Sequence, residues 1–158
     1  KEFAQGFEWR FYEELEWQVF AENKGCQNIQ RYTRALNDMY AKEKALWYDG
    51  QDGFEWIEHE NIEENMLVFL RKTPDMSELM IAVFNFSGKN QEKYKIGVPL
   101  PGKYECILNS NETKFGGYRL GKKISYNSID SSWNYREQHI EVDIAGNSAL
   151  FLKYRKGK

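Results

Sequence analysis

Apolar positions recur at two different periods along this chain, and the period changes near residue 50. Before that point the spacing is three to four residues. Tyr12, Leu15 and Val19 predict a short helix over 12–20. Ile29, Tyr32, Leu36, Met39 and Tyr40 fall at i, i+3, i+7, i+10 and i+11, which predicts a longer helix over 27–44 with one apolar stripe. Arg31, Arg34, Asp38 and Lys42 lie mostly off that stripe, and Gly25 reads as a break before it. Two helices of this size need a further body to pack against.

From Asp52 onward the grammar is that of strands. Phe54-Glu55-Trp56-Ile57 is aromatic and β-branched behind Gly53, and Met66-Leu67-Val68-Phe69-Leu70 runs into a turn at Pro74-Asp75. The longest apolar run, 79–86, stops at Ser87-Gly88. Tyr94-Lys95-Ile96-Gly97-Val98, Tyr104-Glu105-Cys106-Ile107-Leu108, Gln138 to Ile144 and Ala149 to Tyr154 complete seven short strands separated by turn signals. Such spacing predicts an antiparallel β-sandwich. Phe54 and Trp56 share one strand face and are expected in its core, with Trp47-Tyr48 packed at the junction between helices and sheet. The segment 109–136 has little periodicity and reads as a long loop of the functional or mobile kind. The expected organisation is a helical segment over 1–50 and a sandwich over 51–158, mostly β.

Composition narrows the function. The 158 residues are 41% hydrophobic and 29% charged, as in an ordinary globular chain. A net charge of −2 argues against a nucleic-acid binder. No apolar run approaches the roughly 20 residues of a membrane helix. Cys26 and Cys106 are far apart, with neither CxxC spacing nor a disulfide scaffold. A cytoplasmic protein with no metal and no cofactor is the expectation. The sequence opens Lys1-Glu2-Phe3-Ala4-Gln5, without Met, and holds Phe3, Phe7, Trp9, Phe11, Tyr12, Trp17 and Phe20 in its first twenty residues. A piece of a longer protein is expected, with a tendency to dimerise through these exposed rings or to leave the segment mobile.

Candidate chemistry is sparse. His59 stands between Glu58 and Glu60 with no further metal ligand in its pattern, and His139 is expected as a surface or edge residue of an alternating strand. Glu13, Glu14 and Glu16 read as a solvated face, as do Glu58, Glu60, Glu63 and Glu64 around a turn. No nucleophile elbow, phosphate loop or dinucleotide fingerprint is present. The aromatic content of 16% is the stronger signal. Trp9 lies between Glu8 and Arg10, and Trp17 between Glu16 and Gln18. An indole flanked by such groups can take the apolar face of a sugar while its neighbours bond the hydroxyls. Trp133, in the long loop, is a further candidate for ligand contact.

One series of segments carries a resemblance. Glu2-Phe3-Ala4-Gln5, Glu8-Trp9, Leu15-Glu16-Trp17, Leu36-Asn37-Asp38-Met39-Tyr40, Ala45-Leu46-Trp47 with Asp49, and Gly53-Phe54-Glu55-Trp56-Ile57 occur in this order. Val68-Phe69-Leu70-Arg71, Asn85-Phe86, Tyr94 to Pro99, Pro101-Gly102-Lys103-Tyr104, Ile107-Leu108-Asn109 and Phe115-Gly116-Gly117 follow. Together they resemble the C-terminal part of bacterial 1,4-α-glucan (glycogen) branching enzymes, of the α-amylase superfamily. The resemblance implies the terminal helices of a (β/α)8 barrel followed by the α-amylase C-terminal all-β domain. Residues 2–25 would be the loop after the last barrel strand, 27–44 the last barrel helix, and such loops build the active site of these barrels.

The family cleaves an α-1,4 link, holds the chain as a glycosyl-enzyme and passes it to a 6-hydroxyl. Its nucleophile Asp, acid/base Glu and second Asp belong to earlier strands, so no catalytic residue is expected in this chain. Glu2, Gln5, Glu8 and Trp9 are implied as active-site rim or support, and together with Trp17, singled out by its polar flanks, they are the expected substrate-binding positions; α-glucan is the implied substrate and the missing barrel the implied partner. The family usually has Asp-Trp where this sequence has Glu16-Trp17. Two other readings compete: a free-standing carbohydrate-binding module, and the C-terminal part of a superfamily hydrolase.

Overall fold

The computed structural model describes residues 2–8, 10–118 and 124–156. Helices α1 (Trp17–Glu22), α2 (Lys24–Lys42) and α3 (Lys44–Trp47) precede all the strands. These are β1 (Phe54–Glu58), β2 (Met66–Lys72), β3 (Leu79–Asn85), β4 (Gln91–Val98), β5 (Lys103–Asn109), β6 (Ser125–Asn127), β7 (Gln138–Ile144) and β8 (Ser148–Arg155). The described strands form the antiparallel sandwich that the sequence predicts. One sheet has the order β1-β2-β3-β8-β5-β6, and β4 and β7 form the other.

The first core lies between the two sheets. Val68 and Leu70 of β2, Ile81 and Val83 of β3, and Leu150 and Leu152 of β8 meet Ile96, Val98, Ile140 and Val142 of the small sheet. Each such side chain contributes about 1.5–3 kcal/mol on burial. A second core lies on the opposite face of the large sheet. There Met80, Ala82, Ala149 and Phe151 pack with Met39 of α2 and Ala45 at the start of α3. β3 and β8 are thus buried on both faces, which is why they read as continuous apolar runs rather than alternating ones.

Polar groups fasten the helices to this face. Arg71, at the end of β2, donates from Nε to the Ala45 carbonyl (3.1 Å) and from a terminal nitrogen to the carbonyls of Leu46 (3.2 Å) and Tyr48. A cation there satisfies carbonyls left open at the helix end. Lys153 of β8 ion-pairs with Glu43, the residue between α2 and α3. Arg31 of α2 donates to the Lys114 carbonyl at 2.6 Å.

Several expectations are corrected. The helix expected over 12–20 forms only from Trp17, and 11–13 are turn and bend with 14–16 irregular. Gly25 is no break: it lies in the first turn of α2, because the Asn23 side chain accepts from the Gly25 N–H (2.8 Å) and the Cys26 N–H (3.3 Å). Only part of the α2 stripe is covered. Met39 is buried, Tyr32 and Leu36 half-buried, and Ile29 and Tyr40 exposed.

Phe54 and Trp56 do share a face, but it is the outer one. They are 37% and 44% exposed, because they point the way Phe69 does and sit at the sheet edge beyond the helices. A register shift between Trp56 and Glu58 accompanies the inward placement of Ile57. His139 is buried rather than at the surface. It pairs with Gly97 of β4, Ile129 bridges to it, and its Nδ1 lies 2.8 Å from the Ser131 carbonyl. The aperiodic segment 109–136 holds β6 and a 3-10 turn, Thr113–Phe115, whose Phe115 ring meets Tyr32 edge-on.

Candidate functional site

Three rings pack together at the N-terminal site. Trp17 and Phe20, three residues apart on α1, share one helical face. Phe3 lies buried against both, stacked on Trp17 with centroids 5.5 Å apart and edge-on to Phe20 at 5.5 Å. The loop that carries Phe3 is closed by Glu16, whose carboxylate accepts the N–H groups of Gly6 (2.9 Å) and Phe7 (3.4 Å). Gln5 donates to the Phe7 carbonyl at 3.0 Å, and Thr33 of α2 donates to the Glu2 carbonyl at 3.2 Å. Arg10 pairs with Glu13 at 2.9 Å and lies 3.6 Å over the Phe7 ring.

These elements enclose a cavity of about 600 Å³ lined by Glu2, Phe3, Gln5, Glu8, Arg10, Phe11, Leu15, Trp17 and Gln30. Of the sequence-predicted residues, Glu2, Gln5, Glu8 and Trp17 are brought together here. Trp9 lies outside the described residues. Trp17 is half exposed, so its ring is accessible beside two carboxylates, two amides and a guanidinium. An aromatic face bordered by such groups can hold a polyhydroxyl ligand. Among the described residues, no cluster of His, Cys, Asp and Glu could hold a metal ion.

Sequence reasoning named Arg10 only as a flank of Trp9 and missed Gln30 and Phe11 as lining. Gln30 comes from α2, next to Ile29 of the apolar stripe, and only the packing of α1 on α2 carries it to the cavity. Trp133, the other sequence candidate, is 45% exposed and borders a different cavity with Glu58 and His59.

Comparison with known proteins bears on what this geometry serves. Residues 56–155 match the family described as Alpha amylase, C-terminal all-beta domain. The chain is 67% identical over 156 residues to the 1,4-alpha-glucan branching enzyme GlgB of Fusobacterium nucleatum, covering 98% of this chain and 26% of that protein. It is 34% identical to the enzymes of the same name from Francisella tularensis subsp. mediasiatica and Halothermothrix orenii, covering 98% and 96% of this chain and 24% of each relative. The chain therefore spans about a quarter of the length of these curated relatives. Among solved structures, an Anoxybacillus alpha-amylase superposes with a TM-score of 0.54 over 82% of this chain and 23% of its own, at 16% identity, a likeness of fold.

Proposed function

We infer the function from one premise: the chain belongs to the family of the alpha amylase C-terminal all-beta domain. We propose that it serves as the non-catalytic C-terminal part of a cytoplasmic 1,4-α-glucan branching enzyme of glycogen biosynthesis. The observation that carries this is the 67% identity to a branching enzyme over 98% of the chain.

In this reading residues 1–50 complete a (β/α)8 barrel and residues 51–158 form the all-β domain that braces it. The carboxylates that break the α-1,4 link and receive the glycosyl group come from outside this sequence. Glu2, Gln5, Glu8 and Trp17 line the rim over which the glucan lies, and Trp9, outside the described residues, is a further proposed glucan contact. Trp17 presents its ring to a glucose unit, and Glu2, Gln5 and Glu8 bond hydroxyls. Glu16 acts one step back: its carboxylate holds the backbone of Gly6 and Phe7, and so the loop that carries these groups. The exposed rings of Phe7, Phe11 and Tyr12 are the apolar surface through which the free chain self-associates.

Incubation of this chain alone with amylose tests the reading, with branch points counted by enzymatic debranching. No new α-1,6 links and no new reducing ends are expected. Either product would overturn the proposal.

A further inference from the structure

The segment that leads into β7 ends in a tight hairpin. Trp133 and Arg136 exchange both backbone hydrogen bonds, each at 3.0 Å. Asn134 and Tyr135 are the central residues of that turn, with φ of 47° and 58°. A two-residue turn with both φ values positive favours Asn followed by Gly. Asn134 obeys this preference and Tyr135 does not. The chain thus carries a large ring at a position where its backbone would be better served by none, and that ring is fully exposed.

The backbone beneath is held on every side. Asn134 accepts the Gly97 N–H at 2.9 Å and donates to the Glu58 carboxylate at 3.3 Å. Arg136 ion-pairs with Glu55 and donates to the Asn134 carbonyl at 3.2 Å. A Cβ on Gly97 would lie 2.2 Å from the Trp133 carbonyl oxygen, so β4 and the hairpin touch backbone to backbone. A rigid base therefore presents two accessible rings, Trp133 and Tyr135. Together with Glu58, His59, Glu60 and Asn134 they line a cavity of about 440 Å³. His59 is itself stacked on Trp56, with centroids 5.6 Å apart and planes 11° from parallel.

Two rings beside two carboxylates, an imidazole and an amide suit a neutral polyhydroxyl chain. Sugar C–H faces stack on the rings, and the hydroxyls donate to the carboxylates. Lys95 places its ammonium 5.3 Å from the Trp133 ring centroid, and Glu58 and Glu60 leave the cavity border net acidic, which disfavours phosphate-bearing polymers. We propose that this hairpin is a glucan-contact site on the β-sandwich, in which Trp133 and Tyr135 stack on successive glucose units while Glu58, His59 and Glu60 bond their hydroxyls. The choice of an α-1,4-linked chain rests on the function proposed above.

Titration of the chain with maltoheptaose, with cellohexaose as control, tests the site through the amide and indole N–H resonances. Saturable shifts at the Trp133 indole and the Tyr135 amide with maltoheptaose are expected. Tyr135→Gly is expected to weaken binding at least tenfold while unfolding no more easily than the parent chain, because glycine relieves the left-handed backbone. Tyr135→Trp keeps the ring and is expected to retain binding. Maltoheptaose that binds Tyr135→Gly as tightly as the parent, or that leaves the Trp133 indole unmoved, overturns the site. Equal affinity for cellohexaose overturns its α-glucan assignment. These outcomes are independent of the branching assays: a hairpin that binds no glucan leaves the proposed function standing, and a failed branching assay leaves the hairpin shifts intact.

Discussion

Arg71 and Tyr135 show what single residues contribute here. Arg71 ends a strand, yet its guanidinium reaches three carbonyls at the close of α3. Hydrogen bonds to a charged group contribute about 1.5–3 kcal/mol each when the partner is otherwise left bare. Arg71→Ala is therefore expected to cost at least about 2 kcal/mol in chemical denaturation. Hydrogen exchange should speed up first at Ala45 to Tyr48, while β3 and β8 stay protected; unchanged protection there would contradict this role. The sequence marks Arg71 only as a polar residue after an apolar run. Its partners lie more than twenty positions away, so no local pattern reveals them. Glu16 is similar. It stands out as a departure from Asp-Trp, but its bonds to Gly6 and Phe7 appear only once the loop folds back. Tyr135 is legible as one of many aromatics, whereas its left-handed backbone, worth roughly 1–2 kcal/mol of strain, is not.

Among the elements, those with many repeats of one period were legible and the short ones were not. α2 and the long strands each repeat their apolar spacing several times. β6 has three residues and, among the described strands, pairs only with β5, so it offers no period to detect. The faces were harder to assign than the elements. Phe54 and Trp56 carry a core-like composition, but the helices that cover the outer face stop short of the sheet edge where they lie. His139 alternates like a surface residue, but the chain from Ile129 to Ser131 closes over it.

The turn between β2 and β3 gives an element-level prediction. Asp75 accepts from the hydroxyls of Thr73 (2.6 Å) and Ser77 (2.8 Å) and from the Ser77 N–H (3.1 Å). These bonds, that from Thr73 foremost, hold its carboxyl down at about 2, below the usual 3.8. A depressed folded-state value means stability that is fully present above the unfolded value and lost as the group protonates. The difference in denaturation midpoint between the parent chain and Asp75→Ala should be constant above about pH 5 and shrink as pH falls from about 4 toward 2. A difference that does not change over this range would contradict the bonding pattern.

At the scale of the whole molecule, the large sheet is a shared wall between two cores. One core makes the sandwich, and the other receives the helices. A band of rings, Phe54, Trp56, Phe69, Phe84 and Phe86, continues across the outer face past the helices, with Phe86 65% exposed. The fold class followed from period and turn spacing. The rim cavity was legible only in part, since Glu2, Gln5 and Glu8 were named by resemblance, Trp17 by its polar flanks, and Gln30 is placed by packing alone. Under the proposed function this arrangement supports a bond-breaking body that the sequence itself does not contain.

A chimera measures that claim most directly. This chain replaces the corresponding quarter of the Fusobacterium nucleatum branching enzyme, and α-1,6 links formed in amylose are counted beside the intact enzyme and one lacking that quarter. The account predicts branching by the chimera within about tenfold of the intact enzyme and none without the quarter. A folded chimera that binds amylose but forms no branches, or a shortened enzyme that branches as well as the intact one, would contradict it.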